Sequence, residues 1–250
     1  MPAHRPRKRF GQHFLHDRRT LERIVAAIAP ASGDGIVEIG PGEGALTRLL
    51  AERLPHLEAI EIDRDLAARL SAEFAPERLT VHCTDALEFD YGALPVGARI
   101  VGNLPYNIST PLLFLLAEHA ARIRDLHFML QREVVERMVA RPSTSEYGRL
   151  SVMLQVRFRM EKLFRVLPGA FRPPPKVESA LVRMVPHANT PECDAGRLAK
   201  VVRQAFSARR KTLRNALPLA AEDYTALGIN PGLRPENLSP HEYVAIARRV

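Results

Sequence analysis

The chain has 250 residues, enough for one large or two modest domains with a real core, and its 46% apolar content excludes global disorder. Lys and Arg total 36 against 28 acids, a net charge of +8, so a polyanion is the expected kind of partner, nucleic acid first. No run approaches the ~20 apolar residues that span a bilayer, and the two cysteines, Cys83 and Cys193, show neither a disulfide framework nor a zinc spacing. A soluble, unexported protein that uses no membrane and no metal is expected.

The basic charge is clustered. Residues 1–16 carry Arg5, Arg7, Lys8 and Arg9 and no acid; from Ala195 to Leu217 come Arg197, Lys200, Arg203, Arg209, Arg210, Lys211 and Arg214, again without an acid. Clusters at both ends around a mixed middle favour a phosphate-binding surface over scattered solvation.

The opening Lys8-Arg9-Phe10-Gly11-Gln12-His13-Phe14-Leu15 is a basic arm with interleaved aromatics, either a floppy tail or a segment that folds over a ligand. Asp17 caps a helix in which Leu21, Ile24, Val25 and Ile28 recur at helical spacing. Ile36 to Ile39 is an apolar strand running into Gly40-Pro41-Gly42-Glu43-Gly44 and a helix over 45–54. Strand, glycine loop and helix form the opening unit of a doubly wound sheet, and glycines let a ligand press against backbone that a β-carbon would block. The next strand, over 57–63, ends in acids about twenty positions after Gly40, where a carboxylate can accept both hydroxyls of a ribose. Glu61 suits that diol as an acceptor-only group, whereas Asp63 fits better as the cap of a helix over 64–74. Leu79 to Cys83 is the third strand, and Asp85 beyond it can accept an adenine amino hydrogen.

The fourth strand, over 98–101, delivers Gly102-Asn103-Leu104-Pro105-Tyr106-Asn107-Ile108-Ser109-Thr110, with Thr110 the expected cap and Pro111 the first residue of the following helix. The amide oxygen of Asn103 and the carbonyl of Leu104 can each accept one hydrogen of an exocyclic amine. Tyr106 offers a π face, and Pro105 removes a competing donor. An aromatic amine is a poor nucleophile because its lone pair is delocalised. Two N–H···O bonds favour a pyramidal nitrogen and aim its lone pair at an electrophile, with no general base required. A surface turn has similar composition. Polar or glycine features at the ends of all the preceding strands favour a site, because open α/β sheets bind ligands at that edge.

An apolar helix over 111–121 precedes a strand over 126–130, a helix over 131–138 and an exposed loop over 141–147. Residues 150–156 fit either helix or strand. Strands over 160–167 and 179–185 are expected to end the sheet in antiparallel fashion. Between them Phe171-Arg172-Pro173-Pro174-Pro175-Lys176-Val177 is rigid, so Phe171 and Lys176 can be held over a site. A linker over 187–193 leads to helices over 194–206, 208–217 and 239–249. Leu198, Val201, Val202 and Ala205 form an apolar stripe there, with the cations on the other side. Without a carboxylate neighbour those cations repel one another unless a partner neutralises them, which makes Arg209, Arg210 and Lys211 candidate RNA contacts.

The GPGEG loop, the acid on the second strand, Asp85 and the Asn-Leu-Pro-Tyr loop together resemble the S-adenosylmethionine-dependent N6-adenine methyltransferases. More narrowly, the chain is similar to the ribosomal RNA adenine dimethyltransferase family almost end to end. The matching stretches are Phe10 to Leu15, Glu38 to Gly42, Asn103 to Thr110, Gly148 to Val152, Phe171 to Ser179, and Ala205-Phe206 to Asn215-Ala216. The last two look like the small-subunit enzyme rather than the large-subunit antibiotic-resistance branch.

The resemblance implies a Rossmann-like class I α/β methyltransferase domain over 1–188, including a basic arm over 1–16, and a small all-helical RNA-binding domain over 189–250. It implies cofactor contacts at His13, Leu15, Gly40, Glu61, Asp85 and Asn103. Position 13 is more often asparagine in the family, so a contact through the His13 backbone is more secure than one through its ring. Asn103, Leu104 and Tyr106 take the catalytic roles, with Phe171 against the other face of the base. The implied reaction converts two neighbouring adenines near the 3′ end of small-subunit ribosomal RNA to N6,N6-dimethyladenines. It would act on that RNA or on the immature small ribosomal subunit, in the cytoplasm, with a monomer as the default. The rivals are a non-catalytic nucleic-acid-binding or assembly factor on the same fold, and a DNA adenine methyltransferase, which shares the loop chemistry but not the basic termini.

Overall fold

A computed structural model of the chain describes Arg7 and residues 12–250. The expectations for Arg5, Lys8, Arg9, Phe10 and Gly11 lie outside the described residues. The chain forms two compact units. The first takes it up to Val135 and again over Glu161–Pro186; the second takes Glu136–Met160 and His187–Val250. The helical unit therefore recruits a segment from the middle of the chain as well as the tail.

The first unit is built on parallel strands β2 (Ile36–Ile39), β3 (Leu57–Ile60), β4 (Leu79–His82), β5 (Ala98–Asn103) and β6 (Ile123–Gln131). β9 (Ser179–Pro186) returns antiparallel to β6, and β7 (Phe158–Val166) lies outside it. Among the described residues this gives a seven-stranded sheet in the order β4-β3-β2-β5-β6-β9-β7. Separately, β1 (Phe14–Leu15) pairs antiparallel with β8 (Phe171–Arg172), so this end of the arm is a strand.

The helices follow from local chemistry. α1 (Arg18–Ile28) starts where the Asp17 carboxylate accepts the Thr20 N–H, and it buries Leu21, Ile24, Val25 and Ile28. α2 (Ala45–Ala51) follows the glycine loop, and α3 (Arg64–Glu73) is capped by Asp63 accepting from the Asp65 N–H. α4 (Ser109–Glu118) departs from expectation: its cap is Ile108, with no side-chain cap bond, rather than Thr110. The Ser109 hydroxyl donates to the Tyr106 carbonyl at 3.0 Å. That turn starts the helix early and leaves Pro111 inside the first turn, where a missing N–H breaks no bond. α5 (Arg132–Val139) follows β6, and the ambiguous 150–156 segment is the helix α6 (Arg149–Gln155).

Register sets the polar residues of the sheet in rows. Glu38 lies opposite Val101, and Val101 opposite His127, so Glu38 and His127 share one face. Below them Arg99, 4% exposed, makes a bidentate pair with Asp125 at 2.9 and 3.0 Å and a bond to Asp34 at 2.6 Å. Its guanidinium also donates to the Ile28 carbonyl at 2.6 Å, which caps the end of α1. Burial alone would raise the Asp125 carboxyl, but His127 and Arg99 outweigh it and hold it at about 2.

The second unit joins α6 to α7 (Ala195–Ser207), α8 (Leu213–Ala216), α9 (Ala221–Leu227) and α10 (Pro240–Arg249). Its core contains Tyr147, Val152 and Val156 with Leu198, Val201, Val202, Ala205, Leu238 and Tyr243. The buried phenols of Tyr147, Tyr224 and Tyr243 donate to the carbonyls of Leu238, Leu213 and Pro235 at 2.8, 2.9 and 2.8 Å, which offsets the cost of taking them from water. α9 was not expected from sequence. No helix among the described residues is long and apolar enough to cross a membrane.

Candidate active site

At the carboxyl edge of β2 to β5 a cavity of about 330 Å³ opens, lined by the glycine loop, strand-end acids, the Asn103 loop and the arm. His13, Leu15, Gly40, Glu61, Asp85, Asn103, Leu104 and Tyr106 all line it. Gly40 has φ +67° and Gly42 φ +57°, a region that disfavours side chains, and a Cβ on Gly42 would meet the Phe14 ring at 2.9 Å. The loop is thus a cradle closed from above by the arm.

Glu61 is 5% exposed. One carboxylate oxygen accepts the Gly42 N–H at 3.0 Å and the other the Asp63 N–H at 2.9 Å. Burial raises its carboxyl, and those backbone bonds counter the rise. The carboxylate keeps acceptor capacity for a ligand beyond these bonds. Asp85 Oδ1 accepts the Leu87 N–H at 2.9 Å, which turns the chain at the strand end.

Asn103 closes β5, and its Nδ2 donates to the His13 carbonyl at 2.8 Å. A carbonyl can only accept, so the amide is oriented without ambiguity and Oδ1 is its other, accepting end. The His13 backbone thereby touches the Asn103 side chain, while the His13 ring turns elsewhere. Its Nδ1 lies 2.7 Å from the Pro173 carbonyl, and the ring stacks on Tyr106 at 5.7 Å between centroids and 29° between planes. Tyr106 is tied at its other end by a 2.8 Å hydroxyl bond to Ser179.

The arm has a second anchorage. Arg7 pairs with Asp63 at 3.0 Å and with Asp65, and Gln12 Nε2 reaches Asp63 at 3.2 Å.

Two sequence expectations need correction. Phe171 does not face a base: it is 2% exposed, pairs with Leu15 across β1 and β8, and packs in the core. The apolar strand pairing of the arm claims its ring. Arg209 does have a carboxylate neighbour, distant in sequence: Glu236 at 2.6 Å, with a further bond to the Ser145 carbonyl at 2.8 Å. Arg210, Lys211 and Lys176 are exposed, and Lys176 does not line the cavity.

Sequence reading missed three groups. Glu38 was named only as the start of a matching stretch, yet it is 2% exposed, lines the cavity, and its Oε2 has no hydrogen-bond partner among the described residues. Burial, with the Glu61 charge nearby, pushes its carboxyl up to about 7. His127 also lines the cavity, 1% exposed, with Nδ1 3.6 Å from Asp125 Oδ1, beyond a direct hydrogen bond. A lone imidazole inside the apolar run of β6 was the available signal. Ser179 gave none, because its partner is far away in the sequence.

Residues 3–250 match the family described as Ribosomal RNA adenine dimethylase. Among curated relatives, "Ribosomal RNA small subunit methyltransferase A" of Thiobacillus denitrificans is 62% identical over 247 residues, covering 97% of each chain. The protein of that name from Aromatoleum aromaticum is 59% identical over 255 residues, covering 100% of this chain and 96% of the other. Among solved structures, a dimethyladenosine transferase from Plasmodium falciparum superposes with TM-score 0.82 at 25% identity, covering 94% of this chain and 96% of that one. The 23S rRNA methyltransferase ErmE does so with TM-score 0.71 at 27% identity, covering 94% and 98%. With a class I methyltransferase sheet, an Asn-Leu-Pro-Tyr loop at its carboxyl edge and these relatives along its whole length, the chain belongs to the ribosomal RNA adenine dimethyltransferase family of enzymes.

Proposed function

We propose that the chain transfers methyl groups from S-adenosylmethionine to N6 of two adjacent adenines near the 3′ end of small-subunit ribosomal RNA. It acts as a cytoplasmic monomer, without metal or membrane, on the immature small subunit. The observation that carries the reading is the committed amide of Asn103, whose Nδ2 is held by the His13 carbonyl and whose Oδ1 is left to accept.

The cavity suits the donor. Its glycine cradle admits a close backbone approach, Glu61 offers lone pairs to a ribose, and Asp85 an acceptor to an adenine amine. Glu61 and Asp85 together give the walls a negative character that favours a sulfonium cation. When bound, S-adenosylmethionine supplies an electrophilic methyl group.

The chain's own work is positioning. Asn103 Oδ1 and the Leu104 carbonyl accept the two N6 hydrogens, draw the nitrogen toward a pyramidal geometry and aim its lone pair. Tyr106 stacks on the base, which must leave its helix at a cost of a few kcal/mol unless the RNA is already open. Arg210 and Lys211, with Arg197, Lys200, Arg203 and Arg214 on α7 and α8, supply cations for the phosphates.

Asn103→Ala is expected to abolish transfer while leaving cofactor affinity within a few fold. Full incorporation of labelled methyl groups by that variant would refute the mechanism. Offering the natural chain immature small subunits, naked RNA and DNA with labelled donor separates this reading from its rivals. Transfer confined to DNA, or none to any nucleic acid, would overturn it.

A further inference from the structure

Tyr106 sits on the loop between β5 and α4, where a side chain ordinarily has freedom. Here both its ends are fixed. The Ser109 hydroxyl holds its carbonyl at 3.0 Å, and the phenol meets Ser179 Oγ at 2.8 Å, across 73 residues of sequence. That distance is typical of a good O–H···O bond.

Ser179 is itself immobile. It is fully buried, opens β9 and lies opposite Gln131 at the end of β6. The preceding residue is gripped twice: the Arg132 N–H donates to the Glu178 carbonyl at 2.9 Å, and the Arg132 guanidinium meets the Glu178 carboxylate at 3.0 Å. A rigid strand end therefore sets the far edge of an aromatic ring on a loop, and the His13 ring rests against that ring at 5.7 Å. Groups placed on sheet ends hold geometry better than groups held by loops alone.

We propose that Ser179 is a positioning residue for methyl transfer, fixing the plane in which the Tyr106 ring receives the target adenine. The proposal rests on the adenine-methylating reading above. Stacking on a ring of fixed plane sets where the amine lies relative to Asn103 and Leu104. Small errors there weigh heavily, because displacement of a reacting group by about 1 Å can cost two orders of magnitude in rate. A hydroxyl that only satisfied a buried serine would leave turnover untouched.

The test compares the full-length natural chain with Ser179→Ala, Tyr106→Phe and the double variant. It measures kcat, KM for RNA, cofactor Kd and thermal unfolding. Each single change is expected to lower kcat about 10- to 100-fold, with cofactor Kd within twofold and the fold retained. The double variant is expected to be no slower than the slower single, because both remove the same bond. Natural turnover in either single variant, additive losses, or cofactor affinity falling in step with kcat would overturn the role. If Ser179→Ala does not fold, Tyr106→Phe decides: lowered kcat at unchanged cofactor Kd supports the role, and natural kcat ends it. No transfer by the unaltered chain would instead sink the adenine-methylating reading, and this role with it.

Discussion

Glu38 shows how much one side chain can be asked to tolerate. It lies in a sheet row beside Val101, 2% exposed, with one carboxylate oxygen lacking a partner among the described residues. Its carboxyl is raised from 4.5 to about 7, first by burial and then by the charge of Glu61. A group raised on folding contributes stability that is complete below its unfolded value and lost as pH climbs through its folded one. Glu38→Gln, which cannot ionise, is therefore expected to match the natural chain near pH 4.5 and exceed it by on the order of 3 kcal/mol above about 7. Urea unfolding of both proteins across that window, without cofactor, checks it; parallel pH profiles would contradict it. At this scale the sequence was legible where a residue's role is set by its neighbours. Asp17 and Asp63 cap the helices that their positions announced. Phe171 and Arg209 were misread because their partners, Leu15 and Glu236, lie far along the chain, and composition near a residue says nothing about them.

Among the elements, β2 to β6 could be read because apolar runs bounded by glycine and acids have a period that tertiary context rarely reverses. α6 could not be assigned from sequence: an apolar run of its length suits either structure, and burial of Val152 and Leu154 decides for helix only once the chain is packed. α9 escaped for the opposite reason, since Tyr224 is its buried residue and the rest of Ala221–Leu227 carries little apolar signal. Arg99 ties α1 to β5 and β6 through Ile28, Asp34 and Asp125. Removing one partner of a buried ion pair strands the others. Arg99→Met is therefore expected to cost about 3–5 kcal/mol, and adding Asp125→Leu should recover part of it. Chemical denaturation of the single and double variants measures this; a loss below about 1 kcal/mol would mean that water reaches the carboxylates. Asp125, held at about 2, contributes stability that is present above 3.8 and lost as pH falls through its folded value.

Over the whole molecule, charge is the property most directly read from sequence, and structure refines which cations can meet phosphate. Arg210 and Lys211 are exposed, whereas Arg209 is committed to Glu236 and the Ser145 carbonyl. Arg210→Glu with Lys211→Glu is expected to weaken RNA binding and lower the slope of log affinity against log salt by about two. Arg209→Ala is expected to act on the stability of the helical unit instead. An unchanged slope in the double variant would make that surface a mere solubilising skin. The helical unit holds a different lesson. Its core joins Tyr147, Val152 and Val156, from mid-chain, to Leu198, Val202 and Tyr243, from the tail. Severing the tail at the 187–193 linker would thus not release a trimmed enzyme. It would strip the cover from half of a shared interior and leave a greasy, self-associating stump, so the sheet can be isolated only by excising 136–160 as well and rejoining the two cut ends, one in α5 and one in β7.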